Sequence, residues 1–164
     1  MQILNQYQIE QKIHRLAIEI LENNLNSSEI ILAGINNNGY RFAEMMIESL
    51  GSRTDKKLSL ASIKLNPAAP ISQPVTIDLP SDYLCGKSVI IIDDVANTGR
   101  TLFYAFKVLM DVLPEKVEIA VLVDRKHKSF PVKVDYVGLS LATTLQENID
   151  AKLTNAAQLE VLLN

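Results

Sequence analysis

The sequence contains one cysteine, Cys85, in 164 residues. No internal disulfide can form, and a metal site built on several thiolates is excluded. There is no excess of positive charge. Lys and Arg number 16 against 19 for Asp and Glu, and the net charge of −3 gives no general attraction to nucleic acid or to an anionic membrane. No apolar run approaches the roughly 20 residues that a membrane-spanning helix needs. The chain also lacks an internal repeat, a low-complexity run and a linker. Its first residues, MQILNQYQIEQKIHR, are polar with a helical pattern, unlike a secretory signal. These absences together lead us to expect a cytoplasmic chain that keeps away from membranes.

What is present is an alternation of short apolar strands with amphipathic helices. Hydrophobic residues make up 48% and charged residues 21%, enough in a chain of this length for one domain with a substantial core. Residues 6–25 place Ile9, Ile13, Leu16, Ala17, Ile20 and Leu21 on one helical face, with His14 on the polar side. Glu29–Gly34 reads as a buried strand that ends in the loop Ile35–Gly39, and a helix begins near Tyr40. Gly34 and Gly39 have the spacing of a nucleotide P-loop. Tyr40 and Arg41 stand where that loop needs Lys and Ser or Thr, which rejects it. Leu58–Leu65 reads as a strand, followed by the Pro-rich flap NPAAPISQP and a short returning strand at Val75–Leu79. Further strands are expected at 89–93, Lys116–Asp124 and Lys133–Val137. Between the last two lies the polar turn Arg125–Ser129, where His127 reads as solvated. QLEVLL near the end fits helix or strand equally. This order predicts a single α/β domain around a mostly parallel sheet, with its ligand at the carboxyl ends of the strands.

The densest chemistry lies in Val89–Thr101, VIIIDDVANTGRT. Four apolar residues suit a strand buried on both faces, with Asp93 and Asp94 where it should end. Val95-Ala96-Asn97-Thr98-Gly99-Arg100-Thr101 then forms a small-residue turn leading into LFYAFKVLMDVL, which has helical spacing. Amides wrapped in such a turn, the first amides of the helix and the hydroxyls of Thr98 and Thr101 make a receptor for a phosphate. Gly99 lets the backbone come close to it. The two aspartates cannot bind the same anion. They must face its neighbours: sugar hydroxyls, a hydrated Mg²⁺, or positive charge that develops in a reaction.

An apolar strand, paired acids, then Thr-Gly and a second threonine resembles the 5-phosphoribosyl-1-pyrophosphate (PRPP) motif of type I phosphoribosyltransferases. LMDVLPEKVEIAVLVDRKHKSFPVKVDYVG further resembles the subfamily of bifunctional pyrimidine-operon regulators with uracil phosphoribosyltransferase activity. The likeness implies an α/β fold with a small hood formed by the N-terminal helix and the C-terminal segment. It implies Mg²⁺-dependent transfer of ribose 5-phosphate from PRPP to a nucleobase, with uracil giving UMP and pyrophosphate. Asp93 and Asp94 would be catalytic, Asp93–Thr101 would bind PRPP, and Asn36, Asn37, Asn38 and Gly39 would receive the pyrophosphate. No direct protein ligand to Mg²⁺ is implied, since PRPP and water would hold it. By family position the base would lie near Asn148, Ile149 and Asp150, with Arg125 at the hood. Core packing for Ile149 and a solvated turn for Arg125 are the competing readings. A homodimer or higher homo-oligomer is also implied.

The chain departs from the family in three places. The loop after the first strand usually carries Arg and here is Asn36-Asn37-Asn38. The flap that closes over PRPP usually carries charged residues, whereas in Lys64–Pro70 only Lys64 is charged. The overall negative charge argues against RNA binding. These departures keep two alternatives open beside the uracil enzyme: a nucleotide-binding regulator of pyrimidine genes with weak or no catalysis, and a purine phosphoribosyltransferase.

Overall fold

The computed structural model describes residues 1–144, 146–155 and 157–164. Its centre is a six-stranded sheet. The strands are β2 (Glu29–Ile35), β3 (Lys57–Lys64), β4 (Thr76–Ile77), β5 (Ser88–Ala96), β6 (Lys116–Arg125) and β7 (Tyr136–Leu141). Across the sheet they run β4-β3-β2-β5-β6-β7. All neighbours are parallel except β4, which returns antiparallel along the end of β3. This is the mostly parallel sheet with flanking helices that the alternation predicted.

The central strands are buried on both faces because each face has its own cover. Ile30 and Leu32 of β2, with Ile90 and Ile92 of β5, join one core beneath helices α1 (Gln6–Asn23) and α2 (Asn36–Gly51). Ile31, Ala33, Val89 and Ile91 join a second core with Leu84, Leu102 and Ala105. The last three come from α3 (Ser81–Leu84) and α4 (Arg100–Ala105). Period-two alternation therefore feeds two cores, which is why these strands read as continuous apolar runs.

α1 starts on a capping box. Asn5 accepts from the Gln8 amide, and the Gln8 side chain accepts from the Asn5 amide. Its buried face is Ile9, Ile13, Leu16, Ala17 and Ile20, while His14 is exposed as expected.

Four local expectations are corrected. α2 begins at Asn36, so the asparagines form its first turn and not a separate loop. β5 runs through both aspartates to Ala96. LFYAFKVLMDVL is not one helix: α4 stops at Ala105, and Phe106–Leu109 tightens into a 3₁₀ turn. The strand expected at Lys133–Val137 lies at Tyr136–Leu141. Cys85 is exposed. QLEVLL resolves as strand β9 (Glu160–Leu163).

The segment expected as a hood is a three-stranded antiparallel sheet of β1 (Gln2–Leu4), β9 and β8 (Ile149–Lys152), in the order β1-β9-β8. Its N-terminal contribution is the strand β1. Helix α1, expected in the hood, packs against α2 and β7. The chain ends meet there, where the Met1 amine donates to the Leu163 carbonyl at 2.6 Å.

Candidate active site

Strand order reverses in sequence between β2 and β5, and the carboxyl ends of those strands open a crevice there. The close approach at this point depends on Gly39. A side chain at this position would lie 2.7 Å from the Ile92 carbonyl and 3.3 Å from an Asp93 carboxylate oxygen. The first turn of α2 thus rests directly on the end of β5, bringing the asparagines to the acid pair.

Adjacent residues of a strand point to opposite faces, and the two acids divide accordingly. Asp93 lines a cavity of about 290 Å³ together with Val95–Leu102 and Pro67. Asp94 turns to α2, where its Oδ2 accepts from the Asn38 amide at 2.9 Å. The same amide nitrogen donates to the Ala151 carbonyl of β8 at 3.1 Å. Asn38 therefore ties the first turn of α2, the acid pair and the hood into one unit.

Asp93 is 7% exposed. Its Oδ1 accepts from the Asp94 amide at 3.0 Å. Among the described residues no cation pairs with it. Burial pushes its carboxyl well above the usual carboxylate range, and the adjacent Asp94 adds to the push.

The turn after β5 is held from outside. Gly99 has φ of +85°, a left-handed conformation that favours glycine, and a side chain there would lie 2.5 Å from Val132 Cγ2. The Thr98 carbonyl accepts from the amides of Ser129 and Phe130 at 2.9 and 3.1 Å. Among the described residues the amides of Thr98 and Gly99 donate to no protein acceptor. With α4 only six residues long, the helix dipole is weak. The turn's own amides and the hydroxyls of Thr98 and Thr101 are what this cavity offers an anion. Arg100 closes one side, donating to the Pro67 carbonyl of the flap at 2.8 Å.

The remaining expected residues are placed differently from one another. Asn36 and Asn37 line a groove toward β3, and Asn36 Oδ1 accepts from the Leu65 amide at 3.1 Å. Arg125, at the end of β6, is held and not loosely solvated. It donates to Thr143 Oγ1 at 2.7 Å, to the Thr144 carbonyl at 2.7 Å and to Asn97 Oδ1 at 3.3 Å. It thus joins the turn to the segment after β7. Ile149 is buried in the core shared with α1 and α2, so its side chain is not offered to a ligand. Asn148 pairs backbone to backbone with Asn164, and Asp150 is half-buried in β8. The structure therefore brings Asn38, Gly39, Asp93 and Asp94 together and hangs Arg125 from the same turn. It does not bring the Ile149 side chain there. Thr154 and the Ala151 carbonyl reach this edge from the hood. No local sequence signal marks either one, because their position depends on how the small sheet docks.

A family profile described as the phosphoribosyl transferase domain matches residues 1–152. The chain belongs to the phosphoribosyl transferase family. Two of its relatives carry the name "Bifunctional protein PyrR". One, from Halalkalibacterium halodurans, is 37% identical over 164 residues, covering 93% of this chain and 89% of the relative. The other, from Streptomyces coelicolor, is 31% identical over 155 residues, covering 88% and 79%. The fold is that of solved family members at far lower identity. A hypoxanthine-guanine phosphoribosyltransferase from Bacillus anthracis superposes with a TM-score of 0.79 at 18% identity, covering 98% of this chain and 97% of that one. The hypoxanthine phosphoribosyltransferase of Trypanosoma cruzi also gives 0.79, at 16% identity, covering 99% and 95%. The chain is thus similar in fold to these two solved phosphoribosyltransferases and similar in sequence to proteins named PyrR.

Proposed function

We propose that this phosphoribosyltransferase moves ribose 5-phosphate from PRPP to a nucleobase nitrogen, with uracil as the base and UMP and pyrophosphate as products. The observation that carries the reading is the buried Asp93, which has no cation partner among the described residues and faces a cavity lined by the Val95–Thr101 turn. The turn takes the 5-phosphate, and Asp93 and Asp94 take the ribose hydroxyls. As pyrophosphate leaves C1 of the ribose, the ring gains positive charge, and the adjacent carboxylates favour it more than they favour the ground state. The Asn36–Gly39 turn receives the departing pyrophosphate. Arg125, fixed by Thr143 and Thr144, takes the base side together with Asn148 and, from β8, Asp150 and the backbone but not the side chain of Ile149.

Mg²⁺ suits this donor set. Among the described residues no three His, Cys, Asp or Glu side chains converge to hold a metal ion. Mg²⁺ keeps several waters and takes only one or two carboxylates beside substrate phosphates, and Asp93 and Asp94 offer hard oxygens at the same edge. When bound, Mg²⁺ would offset the negative charge of the leaving group.

Incubation with PRPP, Mg²⁺ and a panel of bases, with pyrophosphate release as readout, tests the proposal. Release with uracil alone is expected. Release with hypoxanthine or guanine would replace uracil by a purine. A second reading is favoured by Asn36-Asn37-Asn38, which puts no cation in the pyrophosphate turn. It is a regulator that binds the nucleotide and catalyses weakly or not at all. PRPP binding without release for any base would select it.

A further inference from the structure

The segment between β6 and β7 starts beside Arg125 and folds back along the outside of the Val95–Thr101 turn. Its amides at Ser129 and Phe130 donate to the Thr98 carbonyl. Two of its side chains close on Gly99. A side chain added at that glycine would lie 2.5 Å from Val132 Cγ2 and 3.4 Å from Lys128 Cδ. The polar residues of this segment do not share one environment. Lys126 and His127 are exposed, whereas the Lys128 side chain is only 18% exposed.

The Lys128 ammonium donates to the Asp124 carboxylate and to the Arg125 carbonyl. Asp124 sits beside Ala96 in the β5–β6 ladder, where the anion turn leaves the sheet. Among the described residues no other cation pairs with it. Both partners are largely out of water, so the pair is screened less than one on the surface. Lys128 thus has two ends with different contacts. Its stem lies against Gly99, in the turn that lines the Asp93 cavity. Its head holds the backbone of Arg125, whose guanidinium is fixed by Thr143, Thr144 and Asn97.

We infer that Lys128 is a positioning residue that couples the two ends of the bound nucleotide: it fixes Arg125, at the base side, relative to the turn that takes the 5-phosphate. It acts through Arg125 and Gly99 and touches no substrate. The inference rests on the phosphoribosyl reading above and adds to it a residue outside the expected set. Coupling of this kind changes the ratio of two affinities and does not lower both alike. Without the ammonium, a ligand with phosphate alone should bind nearly as well, and a ligand with phosphate and base should not.

Calorimetry on the full chain with ribose 5-phosphate, UMP and GMP tests the coupling. Asp124→Asn with Lys128→Met keeps the stem and leaves no charge unpaired. This double variant should weaken the nucleotide that the parent binds by about tenfold and ribose 5-phosphate by less than about twofold. In steady state it should raise the KM of the base at saturating PRPP with kcat nearly constant. Lys128→Met alone leaves Asp124 uncompensated beside the turn. It should weaken both ligands, the nucleotide still the more, and it gives the same ratio if the double variant does not fold. Lys128→Arg should keep most of the parent's ratio. Equal weakening of both ligands would make Lys128 a support of the fold only, and no weakening would leave it outside the site. Either result overturns the inference while the phosphoribosyl reading stands. A parent that binds ribose 5-phosphate but neither nucleotide more tightly has no base site to couple and overturns it too. A parent that binds none of the three overturns both.

Discussion

At the amino edge of the six-stranded sheet, Glu29 is 4% exposed; at the carboxyl edge, Asp93 is 7% exposed. Burial alone would raise both carboxyls, yet the two sites answer it in opposite ways. Glu29 accepts from Ser59 Oγ at 2.6 Å and from the Tyr83 hydroxyl, and it pairs with Lys87 at 3.0 Å and Lys57 at 3.6 Å. Burial pushes its carboxyl up, but the hydrogen bonds from Ser59, Tyr83 and Lys87, with the Lys87 charge, overcome it and hold the group down at about 2. Asp93 has one backbone amide and a second carboxylate beside it, and it stays high. A carboxylate fully satisfied by its own protein is part of the scaffold. One left short of donors and cations is poised for a ligand, at a cost in stability.

The largest effect expected from breaking this contrast is on turnover. Asp93→Asn with Asp94→Asn should lower kcat by about 10²–10³-fold, the scale for removing charge stabilisation in a transition state, while PRPP affinity changes less. Steady-state pyrophosphate release measures it, and an unchanged kcat would remove the role assigned to the acids.

Glu29→Gln should act on stability and spare the chemistry. The Glu29 carboxyl sits at about 2 in the folded state against an ordinary 4.5. Its contribution is thus full above about pH 4.5 and is lost as pH falls from there through about 2. The difference corresponds to about 3 kcal/mol near neutrality, or a Tm lower by about 6–12 °C for a chain of this size. Thermal melts between pH 2 and 7 should show the parent converging on the variant as pH falls. Equal Tm values at neutral pH would mean that the four partners of Glu29 contribute nothing.

Asp93→Asn alone should move Tm the other way. A folded-state value raised above the unfolded one favours folding below the unfolded value, and that contribution is lost as pH rises through the folded value. Near neutrality, where the unfolded chain ionises this residue freely, holding it in the fold costs stability, and the neutral amide should raise Tm by a few degrees. A variant less stable than the parent at neutral pH would show that Asp93 is satisfied in a way its contacts do not indicate.

The smallest effect concerns the link between site and hood. Asn38→Ala removes the hydrogen bonds to Asp94 and Ala151 and should raise the PRPP KM by about fivefold, the worth of one ordinary hydrogen bond, with kcat nearly constant. Amide exchange in Ile149–Lys152 should quicken in the same variant. Exchange unchanged there would mean that other contacts hold β8 against β5.

By itself the sequence determined the elements that depend on neighbours along the chain. The apolar runs of β2, β5 and β6 marked strands buried on both faces, and the strand–helix alternation marked a mostly parallel sheet. The VIIIDDVANTGRT stretch was legible as an acid pair beside an anion-binding turn, because strand, acids and turn lie within thirteen consecutive residues. The fold class and the family could be read at that level. Tertiary structure decided whatever depends on partners distant in the chain. It moved the asparagines into the first turn of α2, where Gly39 allows that turn to rest on β5. It turned the adjacent acids to opposite sides by strand alternation, Asp93 into the cavity of the turn and Asp94 toward the Asn38 amide. It folded Lys128 back onto Asp124, the Arg125 carbonyl and Gly99, and buried Ile149 in the core. Residue spacing encodes periodicity and turn chemistry, whereas the meeting of β2 with both β3 and β5, and of the hood with α2, is fixed only when the two faces of the sheet are covered.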